Sequence, residues 1–96
     1  MRDYELVVIL RPDIVEEDVP AAVERVTSAI TSRGGEVVEM NAWGRRRLAY
    51  PIRRHNEGNY YITHMRLDPA RAAELEAGFM ISEDVIRHLL VRKDEE

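Results

Sequence analysis

Between Tyr4 and Leu10 the apolar residues fall on both alternating sides of the chain: Tyr4, Leu6, Val8 and Leu10 on one side, Val7 and Ile9 beside Glu5 on the other. A strand with that pattern must be covered on most of both faces, so it belongs in the middle of a sheet. Arg11-Pro12-Asp13 stops it, because proline cannot continue the ladder and Asp favours turns. Pro51, in a second extended run from Glu36 to Ile52, sets the opposite condition. Lacking an N–H to give a neighbour, it belongs at a sheet edge.

The other elements follow from their own periodicities. From Glu16 to Ser32 the positions Val19, Ala22, Val23, Val26 and Ile30 recur at helical spacing. Acidic residues at 16–18 suit the positive end of a helix dipole, Pro20 is tolerable in a first turn, and Gly34-Gly35 is a stop. Gly44 marks a bulge in the second strand. Arg53 to Gly58 reads as a connecting loop, and Asn59 to Leu67 as a third strand. Asp68-Pro69 opens a second helix with Ala72, Leu75 and Phe79 on one face, shortened by Gly78. Val85 to Arg92 is the last strand, with Val85, Arg87, Leu89 and Val91 alternating against Ile86, His88, Leu90 and Arg92.

The resulting order, β-α-β-β-α-β, is that of an α+β chain of the ferredoxin-like type, a four-stranded antiparallel sheet with two helices on one face. Right-handed crossovers place the first and third strands centrally and the second and fourth at the edges, in agreement with Pro51. The face without helices is left for a partner. Ninety-six residues suffice for one such domain, spanning 1–96, with 93–96 as a short charged tail.

Charge is distributed unevenly on this frame. The twelve residues from Gly44 to His55 hold five arginines and no acid, in a chain of formal net charge -4. The other nine basic residues face all eighteen acids. Planar guanidinium groups make bidentate hydrogen bonds to phosphate, so concentrated arginine points to a polyanion. Charges on an edge strand also deter aggregation, but lysine would serve that end as well. Leu48, Tyr50, Pro51 and Ile52 interleave with the arginines as an apolar strip, part core and part protein interface. Trp43 is the only tryptophan; core is its expected place, with an interface or a base-stacking platform as the other readings.

Several chemistries find no support. Without cysteine there are no disulfides, thiolate metal sites or thiol nucleophiles. His55, His64 and His88 have no metal-ligand spacing, and Ser28, Ser32 and Ser82 sit in no elbow or triad context, so neither a metal nor a catalytic residue is expected. The longest apolar run, Leu6 to Leu10, is far below membrane-spanning length, and the start of the chain lacks a secretory pattern, so a cytoplasmic protein is expected.

The string Trp43-Gly44-Arg45-Arg46-Arg47-Leu48-Ala49-Tyr50-Pro51-Ile52 resembles the signature of the bacterial small-subunit ribosomal protein six family. The opening Met1 to Glu5 and the closing Val85 to Arg92 are similar to that family too, so the resemblance covers essentially the whole chain. It implies a ferredoxin-like fold, no enzymatic activity, no cofactor, and a place in the small ribosomal subunit. It further implies binding to the central domain of small-subunit rRNA together with ribosomal protein eighteen, a basic partner that would offset the acidic balance. By that resemblance RNA contact falls on Arg45, Arg46 and Arg47, and also on Arg2 and Arg87; partner contact falls on Tyr4, Leu48, Tyr50, Pro51 and Ile52. Two other classes compete. A free-standing single-strand RNA-binding module would stack bases on Tyr60 or Tyr61, although 57–62 match the expected octamer poorly. A small-molecule regulatory domain of this fold would need a pocket that the sequence does not signal.

Overall fold

The structure, a computed structural model, describes residues 1–93. Of the charged tail expected at 93–96, all but Lys93 lies outside the described residues. The elements in chain order are β1 (Arg2–Leu10), a 3₁₀ turn (Glu16–Asp18), α1 (Val19–Thr31), β2 (Glu36–Ile52), β3 (His55–Leu67), a second 3₁₀ turn (Pro69–Arg71), α2 (Ala72–Ile81) and β4 (Val85–Arg92). The strands form one antiparallel sheet in the order β2-β3-β1-β4. β1, apolar on both sides, is central, and β2 with its proline is an edge, as their sequences require.

One face of the sheet carries both helices. Leu6, Val8 and Leu10 of β1 meet Met65 and Leu67 of β3, Val26 and Ile30 of α1, and Leu75 and Phe79 of α2 in the main core. α1 ends in paired bonds from the Gly34 N–H to the Thr31 carbonyl (3.0 Å) and from the Gly35 N–H to the Ile30 carbonyl (3.0 Å), a Schellman stop. Asp68 caps the second helical segment by accepting from the Ala70 N–H at 3.0 Å. α2 runs only ten residues, the short helix that Gly78 predicts. Asp84 ties three elements together: its carbonyl accepts from the Arg11 N–H (2.9 Å), and its carboxylate accepts from Arg25 (2.6 Å) and Arg11 (3.4 Å).

The sequence-based expectations fail in three places. The first helix does not begin at Glu16; that acidic turn is 3₁₀, and the α-helix starts at Val19. The loop expected over 53–58 does not exist, because β3 begins at His55 and a two-residue turn joins it to β2. The strict alternation of β4 is broken by a register shift opposite Ile9/Leu10, so Val85 joins the main core with Leu90 instead of sharing the face of Leu89, and Ile86 is buried on the opposite face.

Thr63 is fully buried in the main core face of β3, and among the described residues its Oγ1 has no hydrogen-bond partner. A buried hydroxyl without a partner costs about 1–3 kcal/mol, and valine has nearly the same shape. Thr63→Val should therefore raise the denaturation midpoint by the equivalent of about 1 kcal/mol without changing its slope in urea.

Candidate functional site

β1 pairs with β3 only over residues 59–67, whereas β2 and β3 continue together past the end of β1 as an arm. The arm is closed by Arg53 and Arg54, both at positive φ (50° and 70°), with Ile52 paired to His55. This is the geometry of a type I′ hairpin turn, in which two positive φ values match the strand twist. Asn-Gly is the usual sequence for it, and a side chain at positive φ costs roughly 1 kcal/mol or more. Arg54 has no polar contact among the described residues, so Arg54→Gly should stabilise the fold by about 1 kcal/mol, read as a rise in melting temperature.

The arm curls over the face that carries no helix. Leu48 is buried against Ile9 of β1 and Ile86 of β4, with Ile52 and Tyr60 packed beside them in a second small core. Arg87 of β4 donates to the Tyr50 hydroxyl, and Arg53 donates to the Val85 carbonyl at 3.5 Å. Gly58 permits this approach: a Cβ there would collide with Ile9 Cγ2 and lie 3.3 Å from the Leu10 carbonyl. Between the arm and the sheet runs an apolar groove of about 290 Å³, bounded by Val7, Tyr50, Tyr60, Arg87 and Leu89.

The arginines occupy the outside of this arm. Arg45 donates to the Pro12 carbonyl at 2.7 Å and sits 3.5 Å from Glu57, an acid brought over by the opposite strand and hidden from any local reading of 44–55. Arg46 holds its guanidinium 5.2 Å from the Trp43 ring centroid and donates to the Trp43 carbonyl at 3.4 Å. Arg47 is exposed and has no polar partner among the described residues. Beside the arm, a hydrogen bond from Arg11 (3.0 Å) holds the Asp13 carboxyl below the usual carboxylate range, so it stays ionised and balances part of the local positive charge.

The predicted site residues thus separate into groups. Arg45, Arg46, Arg47, Leu48, Tyr50, Pro51 and Ile52 share the arm, and Arg87 joins them through Tyr50. Arg2 begins β1, roughly 25 Å along the strand from its Leu10 end at ~3.3 Å per residue, so it belongs to another part of the surface. Tyr4 is a correction. It is only 6% exposed and packs in the main core under the helices, because its side of β1 is the helix side, so it does not present a ring to a partner. Trp43 corrects the opposite way: expected in the core, it is 53% exposed. The register of β2 shifts between Ala42 and Gly44, and Gly44 sits at φ +79°, which leaves Trp43 without a facing residue on β3.

Leu89 and Val91 are functional candidates that the sequence reading misses; both are exposed apolar residues on an edge strand. A signal for them exists: an edge strand that is apolar on both alternating sides has one side intended for something other than the helices. His64 faces Asp3 and His88 faces Glu76, and among the described residues no three His, Cys, Asp or Glu side chains gather as metal ligands.

A ferredoxin-like sheet with helices on one face, a groove on the other and an arginine-rich hairpin arm defines a small α+β domain whose candidate site is a surface rather than an enclosed cavity. Comparison with known proteins narrows this class. The family model described as ribosomal protein S6 matches residues 3–92. The chain is 45% identical to the small ribosomal subunit protein bS6 of Moorella thermoacetica over all of this chain and 98% of that one. It is 42% identical to the protein of the same name from Heliobacterium modesticaldum over the full length of both. The crystal structure of 30S ribosomal protein S6 from Thermotoga maritima superposes with a TM-score of 0.90 at 33% identity, covering 98% of this chain and 89% of that one. The C-terminal domain of the MgtC protein from Mycobacterium tuberculosis, 12% identical with a TM-score of 0.65, shares the fold alone. The chain belongs to the ribosomal protein S6 family of the small ribosomal subunit, whose members are structural proteins and not enzymes.

Proposed function

We propose that this chain binds the central domain of small-subunit rRNA as one half of a heterodimer with ribosomal protein eighteen, within the cytoplasmic small ribosomal subunit. The observation that carries this reading is the arm: it gathers Arg45, Arg46 and Arg47 on a projecting edge of a molecule that is otherwise acidic. Arginine offers phosphate planar, charge-assisted donors, and Arg47 has them uncommitted among the described residues. Arg87, bonded to Tyr50, stands at the boundary between the arginines and the groove. Arg2 would meet a separate stretch of RNA.

The groove and the arm's apolar residues are the partner surface. Tyr50 and Pro51 are exposed there, Ile52 is partly buried, and Leu48 supports them from beneath. The remaining surface is rich in acid, so a basic partner is electrostatically complementary to it and would supply the long-range field that a chain of charge -4 lacks.

One observation disfavours a free-standing single-strand RNA-binding module. Such a module needs open aromatic rings on its bare sheet face. Here Tyr60 is packed under the arm against the second core, and Tyr61 packs against the main core on the helix side.

The deciding experiment is affinity isolation of the tagged chain from its own cells, followed by mass spectrometry and rRNA quantification. Recovery with small subunits and with ribosomal protein eighteen is expected. Persistent isolation free of both would remove this reading.

A further inference from the structure

The sole tryptophan of the chain is placed where its ring gains little from the fold. Trp43 sits in the β2 bulge, unpaired by β3, with 53% of its surface in solvent. A bulge re-aims a side chain, and this one aims a large aromatic ring outward, with only Gly44 between it and three arginines. Burial of a comparable ring would favour folding by a few kcal/mol, so the exposed placement forgoes stability that the core would have returned. The ring is also held: Arg46 lies over it at 5.2 Å and bonds to its carbonyl, which restricts both side chains before any ligand arrives. An aromatic ring fixed beside cationic side chains is the combination that binds an unpaired nucleotide, the base stacking on the ring and the phosphates meeting guanidinium groups.

We propose that Trp43, braced by Arg46, is a stacking platform for one unpaired base of the bound RNA, with Arg45 and Arg47 holding the phosphates on either side. The inference rests on the proposed rRNA binding and adds a requirement to it: the RNA must offer a splayed base at this point, not only a helical backbone. A stacked base contributes an affinity that is nearly independent of salt, whereas phosphate contacts set the salt slope. The two roles are therefore separable in one titration.

Because Trp43 is the only tryptophan of the chain, the emission that disappears in Trp43→Ala, with ribosomal protein eighteen present in both samples, is the signal of this site. The test titrates transcribed small-subunit rRNA into the full chain in the presence of ribosomal protein eighteen, following tryptophan fluorescence and affinity at several salt concentrations. A fully paired RNA duplex serves as the control. Strong quenching by the rRNA and little by the duplex is expected. Trp43→Ala should lower rRNA affinity by about tenfold or more with the salt slope unchanged, and Trp43→Phe should retain most of the affinity. Circular dichroism of both variants should match the parent, since the ring is outside both cores.

Unchanged rRNA affinity in Trp43→Ala, with the parent still binding, overturns the platform and leaves the proposed function standing. A loss confined to ribosomal protein eighteen binding overturns it too, and assigns the ring to the protein interface. Failure of the parent chain to bind rRNA at all removes the proposed function and this inference with it.

Discussion

Replacing Arg45, Arg46 and Arg47 together by alanine is expected to weaken association with small-subunit rRNA by roughly a hundredfold near physiological salt, while the chain still folds. All three side chains are exposed, and among the described residues truncating them breaks one long ion pair to Glu57, two bonds to backbone carbonyls and the exposed contact of Arg46 with the Trp43 ring. Exposed pairs of this kind contribute little to stability. The charge moves from -4 to -7 on removal of three cations, and Glu57 is left without its counter-charge, so both contact and field turn against RNA. The diagnostic is the slope of log affinity against log salt, which should become shallower by about two to three, close to one per phosphate released. Replacing Arg2 alone, at the far end of β1, should leave the arm's share of that slope in place. An unchanged slope in the triple variant would sink the assignment of the arm to RNA.

The largest stability effect from a single small change is expected at Gly58. Adding one methyl as Gly58→Ala drives it into Ile9 Cγ2 at the point where the arm rests on the end of β1. Backbone lies on the other side, with the Leu10 carbonyl 3.3 Å away, so the strain cannot be relieved by a flexible tip. Overpacking of this kind costs about 1–3 kcal/mol, and here the upper part of that range applies. Gly44→Ala is the comparison. At φ +79° with nothing within 4 Å of its Cβ, it carries only backbone strain, about 1 kcal/mol. Urea denaturation of the two variants separates crowding from strain. The Gly58 variant should also weaken the second core, visible as faster hydrogen exchange in 45–57 than in the β1–β4 pairing.

Strand order and helix identity are legible in the sequence because each rests on a local pattern with a single solution. Apolar residues on both sides of 4–10 require a central strand, and Pro51 requires an edge. Gly44 announces its bulge and Asp68 its cap, since both are chemistry a residue performs on its own backbone. The hairpin turn is hidden for the complementary reason. Arg53-Arg54 carries no turn chemistry, and its positive φ values are imposed by two long paired strands. The arm's return onto the sheet is equally invisible, because Ile9, Leu48 and Ile86 come from three separated segments and meet only through a shift in β4.

The candidate site is legible as composition and obscure as geometry. Five arginines without an acid mark the segment, yet Glu57 reaches Arg45 from across the hairpin. The side of β1 that faces the helices cannot be read from a strand apolar on both sides, which is why the partner contact expected of Tyr4 gives way to burial in the core. Alternation counted through a bulge loses its phase, and Trp43 sits at that point.

The order β2-β3-β1-β4 also bears on how the chain is made. β1 is completed first, yet its two neighbours are β3 and β4, and its last bonds are to residues 85–92 at the opposite end of the sequence. During synthesis the most apolar strand therefore waits for residue 67 before one side can pair and for β4 before the other can, and the hairpin cannot settle until Val85 and Arg87 exist to receive it. Folding is in this sense an event of completion: a nascent chain released before its final strand would carry an open apolar seam where the finished protein has its centre.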